Sequence, residues 1–268
     1  NPHLTTDGKA LFDADGTRIV VLAVPVQHYE LPKECTVVGK KAFSDRQGLH
    51  EVVLHDDVRV LEPYALSRTG IRAFTAPRAL EEIGERAFYR SQELASVQLN
   101  EGLRVLGDYA FAGTAIKRLQ APASIESLGY RVVEKEVMTF GGPDAGFSIA
   151  EGAKVLTIDD EGGLYRNTPN GVHFVSMLNA DIGSYTLKAG TRIVDDQAFA
   201  HHKNIRHITF PEGVEDIGER ACKDCNMLAV VDVPSTLRVL GEEAFLDTII
   251  EEIALPAGFE KLGSMALV

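Results

Sequence analysis

The chain has no tryptophan, and aromatic residues make up only 7% of its 268 positions, which leaves little material for a broad aromatic platform that stacks sugars. Cysteine is scarce: the three present, Cys35, Cys222 and Cys225, are too few and too uneven for a disulfide framework. Cationic residues are outnumbered, 27 Lys and Arg against 39 Asp and Glu, for a net charge of −12. A nucleic-acid backbone or an anionic membrane surface needs the opposite balance, so neither is expected as the main partner. No apolar run approaches the roughly 18 residues of a membrane-spanning helix, and NPHLTTDGKA lacks the basic-then-apolar form of a signal peptide. Catalytic signatures are missing too. There is no Gly-x-Ser-x-Gly and no His-Glu-x-x-His. The glycine-rich stretch Gly141 to Gly146 is not followed by Lys-Ser/Thr, as a phosphate-binding loop would be. No nucleophile has an identifiable base. The expectation is a chain with no catalytic residue, no cofactor and no metal. What it does hold is 45% hydrophobic residues, enough for a sizeable core.

Those residues recur. IGERAF, from Ile83 to Phe88, returns as LGDYAF from Leu106, IGERAC from Ile217 and LGEEAF from Leu240. Aligned on the last residue of that motif, the chain reads Phe43, Leu66, Phe88, Phe111, Val133 in a first run and Phe199, Cys222, Phe245 and Leu267 in a second, with steps of 22 or 23 within each run. A fixed period of this length is the mark of a stacked-repeat protein. Each unit opens with a short alternating piece such as Val97 to Leu99 or Ile208 to Phe210, often closed by proline, as at Pro77, Pro122, Pro211 and Pro234. An apolar residue follows, then the Ile-Gly or Leu-Gly pair, then Ala-Phe, and a small residue such as Thr69, Ser91, Thr114, Cys225 or Thr248 three positions on.

The alternating piece predicts a strand with its apolar residues on one face. Proline, which has no N–H for a ladder, ends it. Glycines 39, 84, 107, 129, 218, 241 and 263 are expected in a turn conformation that a Cβ resists. The Gly-Glu-x-Ala-Phe piece reads as one short helical turn, its alanine allowing close approach and its phenylalanine plugging the interior. A single unit cannot bury its own apolar face, whereas stacked units can.

These residues closely resemble the BspA-like class of leucine-rich repeats over about 30–135 and 186–268. The resemblance implies a leucine-rich-repeat solenoid, a right-handed superhelix with a parallel β-sheet on one side and short helical turns on the other. Two units depart from the pattern: Glu62 stands where glycine is expected, and Val132-Val133 replaces Ala-Phe.

Two segments break the period and resemble each other. Leu11-Phe12 matches Leu164-Tyr165, Gly16 matches Gly171, and Tyr29 and Tyr185 each lie 14 residues before the next plug. Asp-Gly and Asn-Gly between apolar runs predict hairpin turns. The expected order is a β-hairpin segment at 1–29, a first run of repeats at 30–140, a linker with a second hairpin at 141–185, and a second run at 186–268, forming one continuous solenoid.

The Cys222/Cys225 pair has CxxC spacing, but in the repeat register Cys222 is a plug and Cys225 occupies the small position where the family often has cysteine. Both are expected to be buried structural thiols. Asp13, Asp15 and Asp159 to Glu161 read as turn residues and solvated charge, because neither group has the spacing of a full calcium loop. His201, His202 and His207 are expected on the surface.

What remains is the outward face of the strands, where Glu51, His55, Gln98, Arg118, Gln120, His207, Asp232 and Glu252 are the candidate binding residues. The row is mixed and polar, with no aromatic cluster or single-sign stripe on it. The family resemblance implies a non-catalytic interaction or adhesion module, extracellular or at a bacterial cell surface, binding a protein or glycan ligand as a monomer. An accessory domain of a larger extracellular enzyme or assembly is the other reading. The plug assignment has a direct test. Phe88→Ala should cost about 3–5 kcal/mol in denaturant unfolding as a buried large-to-small change, and an unaltered unfolding curve would refute it.

Overall fold

The fold is described from a computed structural model, which covers residues 3–129, 132–133 and 146–267. The described residues up to 154 form one compact unit, and those from 155 form another. The proposed linker at Gly141 to Gly146 lies outside the described residues except for Gly146, whose carbonyl accepts the Leu119 N–H at 2.7 Å.

The first unit begins with an antiparallel meander, Leu4–Thr6, Ala10–Asp13 and Arg18–Leu22. Its last strand passes hydrogen bonds in parallel to Val37–Val38. A column of two-residue strands continues through Val60–Leu61, Glu82–Ile83, Val105–Leu106 and Ser127–Leu128. Three-residue strands form a second parallel set: His28–Glu30 pairs with Glu51–Val53, Ala73–Thr75 with Ser96–Gln98, and Leu119–Ala121 with Phe147–Ile149.

The second unit repeats this plan. The meander Leu156–Ile158, Gly163–Thr168 and Gly171–Met177 leads in parallel to Thr191–Val194, Asp216–Ile217, Val239–Leu240 and Lys261–Leu262. Ser184–Thr186, His207–Thr209 and Val230–Asp232 form its three-residue column.

Plug residues build the core. Phe43, Leu66, Phe88, Phe111, Phe199, Cys222 and Phe245 are all buried. Phe88 stacks on Phe111 with ring centroids 5.1 Å apart, and Phe174 of the second meander stacks on Phe199 at 4.6 Å, so the hairpin closes the end of the plug column. Val132 and Val133, the variant of Ala-Phe, are buried in the same register, and the Val132 carbonyl accepts the Phe111 N–H at 2.8 Å. Leu267, in the last coil, has a neighbouring coil on one side and stays exposed.

The expected helical turns are absent: no helix is present among the described residues. In the segment from Arg86 to Ser91, alternate N–H groups point in different directions. Those of Arg86, Phe88 and Arg90 donate to Asp108, Ala110 and Ala112 of the next coil, each at 2.8 Å. Those of Ala87, Tyr89 and Ser91 close local turns onto the carbonyls three residues back. This geometry requires left-handed backbone at two positions per coil, filled by non-glycine residues at Arg86 (φ 52°) and Arg90 (φ 56°) and again at Arg220 and Asp224, and by Tyr109 with Gly113 in the coil after Arg90. An α-helix has neither left-handed residues nor N–H groups that leave the chain.

The glycine expectation is corrected in the same way. Glycines 39, 84, 107, 129, 218, 241 and 263 do not adopt positive φ; the residue two positions on does after each of them except Gly129, whose counterpart lies outside the described residues. The glycine is needed because adjacent coils nearly touch there. A Cβ on Gly241 would lie 2.5 Å from the Glu219 nitrogen. At the two slots that lack glycine, the side chain bridges backwards. Glu62 accepts the Lys40 N–H at 2.8 Å and pairs with Arg18 at 2.5 Å, and Asp195 meets His173 at 3.0 Å.

A shared lock holds each meander to its first coil. Tyr29 donates its hydroxyl to Asp7 at 2.6 Å, and Tyr185 donates to Asp159 at 2.5 Å. Burial works against ionised Asp7, but the Tyr29 hydroxyl and the Ala10 and Lys9 N–H groups together hold its carboxyl below the usual range. Burial, with the neighbouring aspartate, pushes both tyrosines far above their ordinary pKa. Both hydroxyls therefore stay protonated and donate.

Gly241→Ala should destabilise the protein by about 1–3 kcal/mol through overpacking. Gly258→Ala, where the added methyl meets no atom within 4 Å, should leave the unfolding midpoint unchanged. Equal effects of the two substitutions would show that coil spacing does not demand glycine.

Candidate functional site

The three-residue strands alternate. Phe74, Leu119 and Ile208 turn into the core, while their neighbours turn out. This period of two places most of the sequence-derived candidates on one kind of surface. Glu51, Gln98, Arg118, Gln120, Asp232 and Glu252 are exposed, and His207 is partly so. Glu51 is held by His28 of the preceding strand at 2.9 Å. Asp232 accepts from Thr209 at 2.9 Å and meets His207 at 2.7 Å; the Thr209 hydroxyl and His207 hold its carboxyl below the usual range. Gln98 and Gln120 stand one repeat apart.

His55 departs from the row. Its ring folds against the preceding coil, with Nε2 3.0 Å from the carbonyls of both Pro32 and Cys35. His202 corrects a second expectation. It is buried, not on the surface, because it occupies the small-residue slot, where Nδ1 lies 2.8 Å from the Phe199 carbonyl. His201, next to it, turns outward to Asp224 at 3.1 Å. The two rings therefore diverge, and among the described residues no group of three or more His, Cys, Asp or Glu side chains is placed to hold a metal.

The cysteines are free and buried. Cys225 donates to the Phe199 carbonyl at 3.1 Å, and Cys35 to that of Val37 at 3.4 Å. Burial pushes Cys35 up to about 11 and Cys225 up to about 12, and Cys222 well above its ordinary value. Asp13 and Asp15 serve their own turn, accepting the N–H groups of Arg18 and Thr17. Asp159 accepts the N–H groups of Glu161 and Gly163 besides the Tyr185 hydroxyl.

Sequence reasoning passed over two features. One is a charge ladder along the column of short parallel strands; each member precedes a two-residue strand, except Arg192, which lies within Thr191–Val194. It reads Arg59, Glu81, Arg104, Glu126 in the first unit and Arg192, Glu215, Arg238, Glu260 in the second. Arg104 meets Glu126 at 2.6 Å, Arg192 meets Glu215 at 2.7 Å and Arg238 meets Glu260 at 3.0 Å.

The other is a column of cations and rings on the left-handed slot of the first unit, Lys41, Tyr64, Arg86 and Tyr109. The Lys41 ammonium lies 5.6 Å and the Arg86 guanidinium 5.7 Å from the Tyr64 ring centre, and Arg86 lies 4.6 Å from that of Tyr109. Arg86 also donates to the Tyr64 hydroxyl at 2.9 Å and pairs with Glu85. Arg90 sits over Tyr89 at 5.1 Å. The signal was available: the x of Gly-Glu-x-Ala-Phe, read down the aligned units, spells Lys, Tyr, Arg, Tyr.

Stacked parallel coils with an Ile-Gly…Ala-Phe register define a leucine-rich-repeat protein. The model of the BspA-type leucine-rich repeat region matches in six copies over residues 23–137 and 177–268, and the chain belongs to that family. No curated protein matches it. Among solved structures it is similar to the pneumococcal vaccine antigen PcpA, with 20% identity, 98% of this chain and 67% of that one covered, and a TM-score of 0.68. It is also similar to a leucine-rich cell surface protein from Faecalibacterium prausnitzii, with 18% identity, coverage of 98% and 85%, and a TM-score of 0.59. A leucine-rich repeat protein from Eubacterium ventriosum follows, with 13% identity, coverage of 97% and 90%, and a TM-score of 0.50. At these identities the likeness is one of fold.

The buried thiols carry a test. Because their pKa values are raised, they stay protonated through neutral and mildly alkaline pH, and the thiolate is the reactive form. Native protein should leave all three cysteines unlabelled by a maleimide, and denatured protein should label all three. Rapid native labelling of Cys222 and Cys225 would refute their place in the core.

Proposed function

We propose that the chain is a non-catalytic protein-interaction module of a bacterial surface or secreted protein, working as an adhesion element through the outward strand face. The observation that carries this reading is the alternation of the three-residue strands, which anchors one set of side chains in the core and presents the next as a rigid polar row. Glu51, Gln98, Arg118, Gln120, His207, Asp232 and Glu252 are the contact residues of the proposal, with His55 as a support beneath them. Family membership favours it, and so does the likeness in fold to a cell surface protein and to a vaccine antigen. An extracellular or surface location is part of the same proposal. Parallel-sheet solenoids use such surfaces for partners because the strands hold side chains at fixed spacing.

The ligand is a protein or a glycan, and the module acts as a monomer. Shaving intact producing cells with protease, followed by mass spectrometry, tests location; peptides of this chain should appear before lysis. Binding of the purified chain to arrayed matrix proteins and glycans tests function. At least one member should bind, and a Gln98→Ala, Arg118→Ala, Gln120→Ala variant should lose most of that binding while melting like the parent. Peptides found only after lysis, or array binding that survives the triple change, would overturn the reading.

A further inference from the structure

We infer that the Lys41–Tyr64–Arg86–Tyr109 column, with Tyr89 and Arg90 beside it, is a docking surface for an acidic, extended segment of a protein partner. The column lies on the turn segments of the coils, not on the strand face, so it stands whether or not the strand face binds anything.

Charge and geometry both single it out. The chain as a whole carries −12, yet this ridge presents two cations, Lys41 and Arg90, that lie over tyrosine rings instead of in ion pairs. Asp45 is engaged by Arg68 at 3.2 Å, Glu62 by Arg18 at 2.5 Å, and Glu85 by Arg86. Lys41 and Arg90 lie over tyrosine rings and form no ion pair among the described residues. Both are exposed. A guanidinium over a ring has shed part of its hydration and keeps its outer N–H groups for a carboxylate.

The second unit supplies an internal comparison. Its same slots hold Gln197, Arg220, Glu243 and Met265, without a tyrosine. There the cations are satisfied, because Glu243 takes both Arg220 and Lys223 at 2.7 Å. The fold therefore does not require rings and free cations at these positions; the first unit has them in addition to what folding needs.

Ring orientation favours a peptide over a sugar. Tyr64 receives Lys41 from one neighbouring coil and Arg86 from the other. A saccharide needs an open ring face, whereas these rings offer edges and hydroxyls. Tyrosine and arginine are also the residues that dominate protein–protein hot spots. Lys41 and Arg90 are two coils apart, about 10 Å along the stack, which matches roughly three residues of extended chain. The fitting segment has acidic residues at that spacing and an apolar residue between them against the tyrosine edges.

The test uses the full chain and a fluorescein-labelled Glu-rich peptide with interspersed phenylalanines, read by fluorescence anisotropy at low salt. Its charge-reversed lysine version and a heparin oligosaccharide serve as comparison probes. The acidic peptide should bind and the lysine peptide should not. Lys41→Gln with Arg90→Gln should weaken binding about tenfold or more, as loss of charge-assisted contacts does. Lys203→Gln, which removes an exposed cation from the second unit, should leave it unchanged. Thermal melts establish that each variant is folded. Absence of peptide binding, an equal loss in Lys203→Gln, or binding of heparin alone would overturn the inference. So would peptide binding that survives the double change, or self-association of the chain that the peptide does not compete away.

Discussion

Within each unit, the described coils are bound one to the next by backbone hydrogen bonds at strand spacing, and that spacing dictates much of their sequence. Where two coils come closest, no side chain fits, so the slot is glycine, or an acid that reaches back across the gap. Where the chain must turn and still hand its N–H groups to a neighbour 22 or 23 residues away, two residues per coil take left-handed backbone. Left-handed backbone costs roughly 1–2 kcal/mol for a residue with a Cβ. Both the ladder and the plug beneath offset that cost. Stability is thus distributed, each coil depending on its neighbours more than on itself.

The period, the plugs and the strand positions could be read directly, because they are set by local alternation and by repetition. The helical turn could not. Gly-Glu-Arg-Ala-Phe is locally a fair helix sequence, and arginine, tyrosine and glutamate have no marked preference for left-handed backbone. What excludes the helix is a partner a whole repeat away. The same non-locality hid the Tyr29–Asp7 and Tyr185–Asp159 locks. It also led His202 to be placed on the surface, since only the small-residue register, with the Phe199 carbonyl below it, shows that the ring is inside. The candidate strand face was legible because outward positions follow from the period of two. The Tyr64–Arg86–Tyr109 column was not, although its letters are in the repeat, because its meaning depends on which slot faces solvent.

The two surfaces differ in kind. On the strand face the charges are mostly spoken for: Glu51 has His28, and Asp232 has Thr209 and His207. Such a face recognises by shape and by the placement of amides such as Gln98 and Gln120. On the turn ridge of the first unit, Lys41 and Arg90 are stacked on rings and form no ion pair among the described residues. A scaffold whose interior is fully specified by packing leaves both surfaces free to diverge, so repeats that are nearly identical inside can carry unrelated chemistry outside.

The ladder Arg59, Glu81, Arg104, Glu126 has a period of two coils laid over a fold with a period of one. Backbone and core would accept a slip, loss or gain of a single coil almost without protest, since every coil fits every other. The ladder would not, because such a change sets arginine beside arginine and glutamate beside glutamate along the stack. Removing or adding a pair of coils restores the alternation. For this chain the unit of permissible growth is therefore the pair of coils, and each exposed ion pair, weak as a source of stability, acts as a parity check on the order in which the coils are stacked.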